Sequence, residues 1–470
     1  MSAVDSEAPV TIDAALIALR EGRLRATELV EGALRAGHDA GERLGIYVAR
    51  FDEPARAAAL GAEAAYAAGG EPLVLQGIPL GVKDNVATID GPTTAQSLVL
   101  DPAWAEEQGD ATAVARLRAA GGIVCGKNTT MEFATGIPDP SKPFPLPRNP
   151  WNAEHWAGGS SSGTASGVSV GAFLGGLGTD TGGSVRIPAA YCGITGLKPT
   201  FGRVPKSGVV PFSHSLDHVG PMARTARDCA LLLGVLAGHD PRDLTSVDEP
   251  VEDYVAALTG DVSDLRIGVD PLRRVCPDRD QEVDSAFAAA VETLAQLGAT
   301  VIDVEIPWYN EVAAANRITS RSEALAYHLP DLRSRWFDYF DSTRQGVGAG
   351  AFFTGADYVQ AQRVRRVAQG AVADLFTAVD LVVTPTTSAP APRLDRLIEH
   401  GWRMELTHTN YWNVVGNPAL AVPMGHTRLA MPLSLQIIGR PFDEASVLRA
   451  GDAYQQNTGW HGELPLSERG

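Results

Sequence analysis

The 470 residues hold five lysines, Lys83, Lys127, Lys142, Lys198 and Lys206, and the other 34 of the 39 basic residues are arginine. Arginine stays protonated in proteins, whereas a buried lysine can be driven neutral and then act as a base. The lysine-bearing stretch also contains TDTGGS (179–184), in which Gly182 and Gly183 directly precede Ser184. Consecutive glycines let a backbone turn until successive N–H groups converge on one point, and such a nest cradles either a phosphate or an oxyanion. The acidic net charge and the lack of a nucleotide motif favour the oxyanion, with Ser184 as an adjacent nucleophile. Asp180 and Arg186 flank the turn, and a pair between them would hold its shape.

Other patterns fail on context. GGIVCGKN (121–128) fits the start of a P-loop, but Asn128 stands where a magnesium-binding Ser or Thr belongs. G-x-S-x-G occurs around Ser161 and around Ser169. An esterase elbow needs a strand before the serine and a downstream Asp and His. Ser161 instead follows a Pro-rich loop, and only His214 and His218 lie near anything suggestive. GGSSSG (158–163) has linker composition, yet ordered-looking apolar sequence follows it at once.

Composition narrows the classes. With 44% hydrophobic and 20% charged residues the chain is a globular protein, not a disordered one. A formal net charge of −17 gives no electrostatic support to nucleic-acid or anionic-membrane binding. No apolar run reaches the roughly 18 residues of a membrane span, and the N-terminus is acidic where a signal peptide is basic. The expected location is the cytoplasm. Cys125, Cys192, Cys229 and Cys276 are scattered without a CxxC pair, so neither disulfides nor a metal site is expected.

The elements that must position these groups alternate. Helical spacing runs through 13–35, 112–120, 225–237, 282–297, 357–378 and 444–456. Strands are predicted at 77–84, 122–126, 265–270, 300–306, 380–387, 419–425 and 433–439. The order predicts an α/β fold with a central mixed sheet covered by helices on both faces. No linker or repeat divides 1–470, so one large domain is expected.

Four segments, GVKDN (81–85), GGSSSG (158–163), GTDTGGSVRIPAAYCGITGLKPTFGRV (178–204) and SLDHVGPMARTARDCALLL (215–233), together resemble the amidase signature family. The likeness continues through VTPTT (383–387), NPALAVP (417–423) and PLSLQIIG (432–439). It implies a Ser–cisSer–Lys triad: Ser184 as nucleophile, Ser160 beside a cis peptide as relay, and Lys83 as base. The backbone N–H groups of Thr181, Gly182, Gly183 and Ser184 would then form the oxyanion hole, with no metal or organic cofactor. The implied reaction is hydrolysis of amide C–N bonds, with carbamates (urethanes) and esters open to the same chemistry.

Ten of the 31 aromatics fall between Trp308 and Tyr358, in a variable region of about 305–360 that would shape an apolar or aryl pocket. The expected partner is therefore a small-molecule amide or carbamate, with no nucleic acid and no membrane; family analogy allows a homodimer. The alternatives are a Ser-His-Asp esterase and the amidase subunit of a glutamine-dependent tRNA amidotransferase. That branch is marked by an arginine shortly before a GTF-like segment and by a late aspartate. The corresponding segments here, QGVGAGAFF (345–353) and MELTHTNYWN (404–413), show neither.

Overall fold

Short aliphatic and β-branched runs bounded by glycine and proline form the strands of one mixed sheet in the computed structural model, which describes residues 10–401 and 406–465. In chain order they are β1 (Tyr47–Arg50), β2 (Pro79–Lys83), β3 (Ile123–Asn128), β4 (Gly175–Asp180), β5 (Thr195–Lys198) and β6 (His218–Ala223). The second half supplies β7 (Arg266–Val269), β8 (Thr300–Asp303), β9 (Leu381–Pro385), β10 (Ala419–His426) and β11 (Pro432–Ile438). Their order across the sheet is β1-β3-β2-β4-β6-β5-β10-β11-β9-β7-β8. The outermost strands β1 and β8 are partly exposed, while β2 to β6, β9 and β11 are buried throughout. Strands covered on both faces have no polar side to present, so they read as unbroken apolar or small-residue runs.

The site depends on one local arrangement. β2 runs parallel to both β3 and β4, with Val82 opposite Leu177, so β2 and β4 end at the same edge of the sheet. Lys83 closes β2 and Asp180 closes β4. The chain leaves β4 through the TGGS turn and enters the helix Arg186–Cys192. Upstream, GGSS leads into the helix Ser162–Ser169, every residue of which is buried, and this helix packs against β4 and β2. The carboxyl edge of parallel strands is where open α/β sheets place their ligands.

The α/β architecture and the predicted strands hold, with boundary shifts of a few residues. Residues 13–35 do not form one helix: Ile12–Arg20 ends before Gly22, whose φ is +68°, and a second helix spans Ala26–Leu44. The tract 158–203, dense in Gly, Ser and Thr, holds two helices and the strands β4 and β5. A long helix, Tyr309–Ser334, runs through the aromatic-rich region although it contains Pro330. Among the described residues, no helix is long and apolar enough to cross a membrane.

Candidate active site

Lys83 is fully buried, and its Nζ donates to Ser160 Oγ at 2.7 Å. It also donates to Thr179 Oγ1 at 2.8 Å and to the Thr179 carbonyl at 3.3 Å. Asn85 Nδ2 holds the same Thr179 hydroxyl at 3.1 Å, so that oxygen is fixed from two directions. Burial pulls the Lys83 ammonium down to about 7, against the Asp180 and Asp217 carboxylates, which push it up. Of the five lysines, Lys83 is the one whose amine meets a serine hydroxyl among the described residues. Lys127 donates to Thr93 Oγ1 and the Val86 carbonyl, while Lys142, Lys198 and Lys206 donate to backbone carbonyls.

The Gly159–Ser160 peptide bond is cis, as the resemblance implies for the middle serine. Ser161 N–H donates to the Ser184 carbonyl at 3.1 Å, which sets the GGSS segment beside the TGGS turn. Ser160 is buried, whereas Ser184 is half-buried and open to an incoming group.

The turn itself is held by a saturated ion pair. Arg186 grips Asp180 with two hydrogen bonds, Nε to Oδ2 at 3.0 Å and Nη2 to Oδ1 at 2.9 Å. Its remaining donors reach the Thr409 carbonyl, Gln436 Oε1 and Asn413 Oδ1 at 2.7–2.8 Å. Asp180 also accepts the N–H groups of Gly183 and Val185 at 2.7 and 3.1 Å. Burial pushes the Asp180 carboxyl up, but the Arg186 guanidinium outweighs that and holds it below the usual carboxylate range. The predicted pairing across the turn is therefore present.

One donor is reassigned by this geometry. The resemblance puts the Gly183 N–H in the oxyanion hole, yet it points into the Asp180 carboxylate. Gly183 is required for a different reason. Its φ is +133°, and a Cβ there would stand 2.1 Å from Thr409 Oγ1. Thr409 Oγ1 in turn donates to the Gly182 carbonyl at 2.6 Å, and Thr181 Oγ1 donates to Asp217 at 2.5 Å.

The competing motifs fall away. GGIVCGKN contains strand β3, with Lys127 buried inside it, and not a phosphate loop. Ser161 and Ser169 donate to the Thr179 and Cys192 carbonyls at 3.2 and 2.9 Å. His218 sits opposite Asp180 on β6, its Nδ1 2.7 Å from the Leu216 carbonyl, and burial holds its imidazole well below the ordinary histidine range. His214 is exposed. The aromatic-rich region does not present a continuous ring lining. Trp308, Tyr327, Trp336, Phe337 and Phe352 are exposed, Tyr339 and Phe340 are buried, and Tyr309 bonds His408. Asn85, Thr179, Thr409, Asn413 and Gln436 also support the site, and the sequence reading misses all five in that role. Thr179 lies inside TDTGGS, but the last three are more than 220 residues from Ser184 and carry no spacing signal.

Comparison with known proteins shows the family. The Amidase family model matches residues 28–448. A glutamyl-tRNA(Gln) amidotransferase subunit from Roseiflexus sp. strain RS-1 is 40% identical, over 97% of this chain and 98% of the relative. A solved chain from a vestigial protein complex that reveals the origins of an s-triazine catabolic enzyme is 32% identical. It has a TM-score of 0.87 over 95% of this chain and 98% of its own. A bacterial aryl acylamidase of the amidase signature enzymes is 25% identical, with a TM-score of 0.84 over 96% of each chain.

The amidotransferase relatives correct the expectation of a partner set without nucleic acid, because they are named for a tRNA-dependent reaction. Net charge describes the surface of one chain, whereas one component of a larger assembly works beside charges that this sequence does not contain. With a family match across most of its length and a catalytic-type corner at the carboxyl edge of β2 and β4, the chain belongs to the amidase signature family, whose members act on C–N bonds.

Proposed function

We propose that this chain is the amidase component of a glutamine-dependent, tRNA-linked amidotransferase, releasing ammonia from a carboxamide through an acyl-enzyme on Ser184. The chemistry rests on one observation, the buried Lys83 amine 2.7 Å from Ser160 Oγ. The choice of substrate is supported by relatives named as glutamyl-tRNA(Gln) amidotransferase subunits, up to 40% identical over nearly the whole chain. These relatives favour a carboxamide such as glutamine over the aryl amide or urethane, and the exposed rings of the 308–358 region add no support for an aryl pocket.

In this reading neutral Lys83 uses its two N–H groups on Thr179 and turns its lone pair to the Ser160 hydroxyl. Ser160 passes its proton to Lys83 and takes one from Ser184, which attacks the amide carbon. The oxyanion is met by backbone N–H groups of Thr181, Gly182 and Ser184; each donor of this kind lowers the barrier by about 2.7–4 kcal/mol. The relay returns its proton to the leaving ammonia, and water or a second acceptor then clears the acyl group. Asp180 and Arg186 act as positioning residues, because they hold the turn and touch none of the reacting atoms.

The test is ammonia release from L-glutamine by the purified chain, alone and with any copurifying partner. Ser184→Ala should lower that rate by at least about 10⁴-fold with an unchanged folded state. Unchanged release by Ser184→Ala would overturn the nucleophile. Turnover of aryl amides with none of glutamine, with or without partner proteins, would overturn the substrate.

A further inference from the structure

The turn that carries Ser184 is anchored at each carbonyl from Asp180 to Ser184. The Asp180 carbonyl accepts from Asn413 Nδ2 at 3.0 Å, the Thr181 carbonyl lies 3.5 Å from Asn316 Nδ2, and the Gly182 carbonyl takes the Thr409 hydroxyl. The Gly183 and Ser184 carbonyls accept the N–H groups of Ile187 and Ser161 at 2.7 and 3.1 Å. In a trans peptide the C=O and the following N–H point in opposite directions, so each anchored carbonyl aims the next N–H. The N–H groups of Gly183 and Val185 go to the Asp180 carboxylate, which leaves those of Thr181, Gly182 and Ser184 for the oxyanion.

A further anchor is a charged side chain outside the relay. Asp180 ends β4 and pairs with His218, which begins β6, so Thr181 and Asp217 face each other one residue beyond the paired ends. Both are buried, and Thr181 Oγ1 donates to Asp217 Oδ1 at 2.5 Å. The other carboxylate oxygen accepts the N–H groups of Phe212 and Ser213, both at 2.9 Å. Three donors on one carboxyl group make it an acceptor only, which is the ionised form, and a hydroxyl held by a charged acceptor is held more tightly than by a neutral one. Behind this loop, Glu323 of the helix Tyr309–Ser334 accepts from the Ser213 and Ser215 hydroxyls at 2.6 and 2.7 Å.

We propose that Asp217 is a positioning residue for amide cleavage: by taking the Thr181 hydroxyl it fixes the Thr181 backbone so that its N–H meets the oxyanion. This role rests on the acyl-enzyme reading of Ser184 and adds to it a residue that touches no reacting atom.

The Asp217 charge has a second consequence. Two carboxylates, Asp180 and Asp217, favour the protonated form of Lys83 against its burial. Burial pushes the Asp217 carboxyl up, while the Lys206 amine and the three hydrogen bonds pull it down. Lys206 in turn lies under the charges of Asp243, Glu323 and Arg365, and burial lowers the imidazole of the adjacent His218 well below its ordinary range. Removing the Asp217 charge therefore lets Lys83 lose its proton at lower pH. A side chain that merely supported the fold would leave that midpoint in place.

The experiment follows labelling of Ser184 by an alkyl fluorophosphonate in the full-length chain, read by intact mass spectrometry between about pH 5 and 9. Ser184 Oγ bonds to phosphorus, fluoride leaves, the serine proton passes through Ser160 to Lys83, and the phosphonyl oxygen enters the oxyanion hole. Asp217→Asn should slow labelling at the high-pH plateau at least about tenfold and move the midpoint down by about half a pH unit or more, with the circular dichroism of the folded state retained. Thr181→Val removes the hydroxyl and keeps the charge, so it should slow the plateau by a similar factor without lowering the midpoint. The double variant should be no more than about threefold slower than either single one, because both break the same hydrogen bond.

Both single variants within about twofold of wild type, losses that multiply in the double variant, or an Asp217→Asn midpoint that stays or rises would each overturn the proposal. Failure of the underlying reading shows in wild type instead. Labelling without ammonia release from L-glutamine would overturn the substrate and leave the role of Asp217 tested, whereas a wild type that is not labelled would overturn the nucleophile and this role with it.

Discussion

Lys83 and the Asp180–Arg186 pair lie at adjacent strand ends and are equally buried, yet the protein treats their charges in opposite ways. Arg186 and Asp180 satisfy each other and then find further partners for their remaining donors and lone pairs, and the Asp180 carboxyl is held below the usual carboxylate range. Lys83 is given two hydroxyls and a carbonyl but no carboxylate in contact, and burial brings its amine down to about 7. A saturated ion pair makes a rigid frame, and an amine denied a counter-ion loses its proton more readily. The difference lies in partners alone, since depth in the molecule is the same.

Substitutions can separate the frame from the base. Lys83→Met should remove at least about 10⁴-fold of turnover while Tm, followed by circular dichroism, stays the same or rises. The sign follows from linkage: a lysine whose folded-state value is lowered binds a proton less well in the native state than in the unfolded one. Its unfavourable contribution is therefore complete below about pH 7 and relieved as pH climbs toward the unfolded value near 10.5. A large fall in Tm on removing it would contradict a neutral, merely tolerated amine.

Asp180→Ala should do the reverse, costing about 3–5 kcal/mol in denaturant unfolding because Arg186 is left buried and unpaired. Asp180→Ala with stability within about 1 kcal/mol of wild type would show that the pair is not the frame. A smaller effect is expected in the pH profile. The wild-type rate should fall about tenfold per pH unit below about 7 as Lys83 takes up a proton. Thr179→Val removes a hydroxyl partner of Lys83 and should move that midpoint by a fraction of a unit and lower the rate about tenfold. A midpoint and rate both unmoved by Thr179→Val would leave Thr179 out of the base's environment.

Legibility differs along the chain for identifiable reasons. β7, β9, β10 and β11 are readable because aliphatic runs of strand length are bounded by proline and glycine. β4, GGLGTD, and the helix SGTASGVS are not, because a segment built of Gly, Ser and Thr and buried on every side carries no apolar periodicity. The pattern that marks a helix or strand is the contrast between a wet face and a dry one, and these segments have no wet face. The aromatic cluster misleads in the opposite sense. Its density suggests a pocket, but Trp308, Tyr327, Trp336, Phe337 and Phe352 are exposed while Tyr339 and Phe340 are buried, so the rings form no continuous lining.

The residue types and their local spacing determined the chemistry available here. A glycine pair ahead of Ser184, a serine run at 160–162 and the lysine of GVKDN are contained in short segments, and no packing is needed to see them. Only the tertiary structure decided which of five lysines meets a serine and that the Gly183 N–H is taken by Asp180. A side chain's charge state and availability depend on what surrounds it, and in this fold those neighbours come from strands and loops tens to hundreds of residues away.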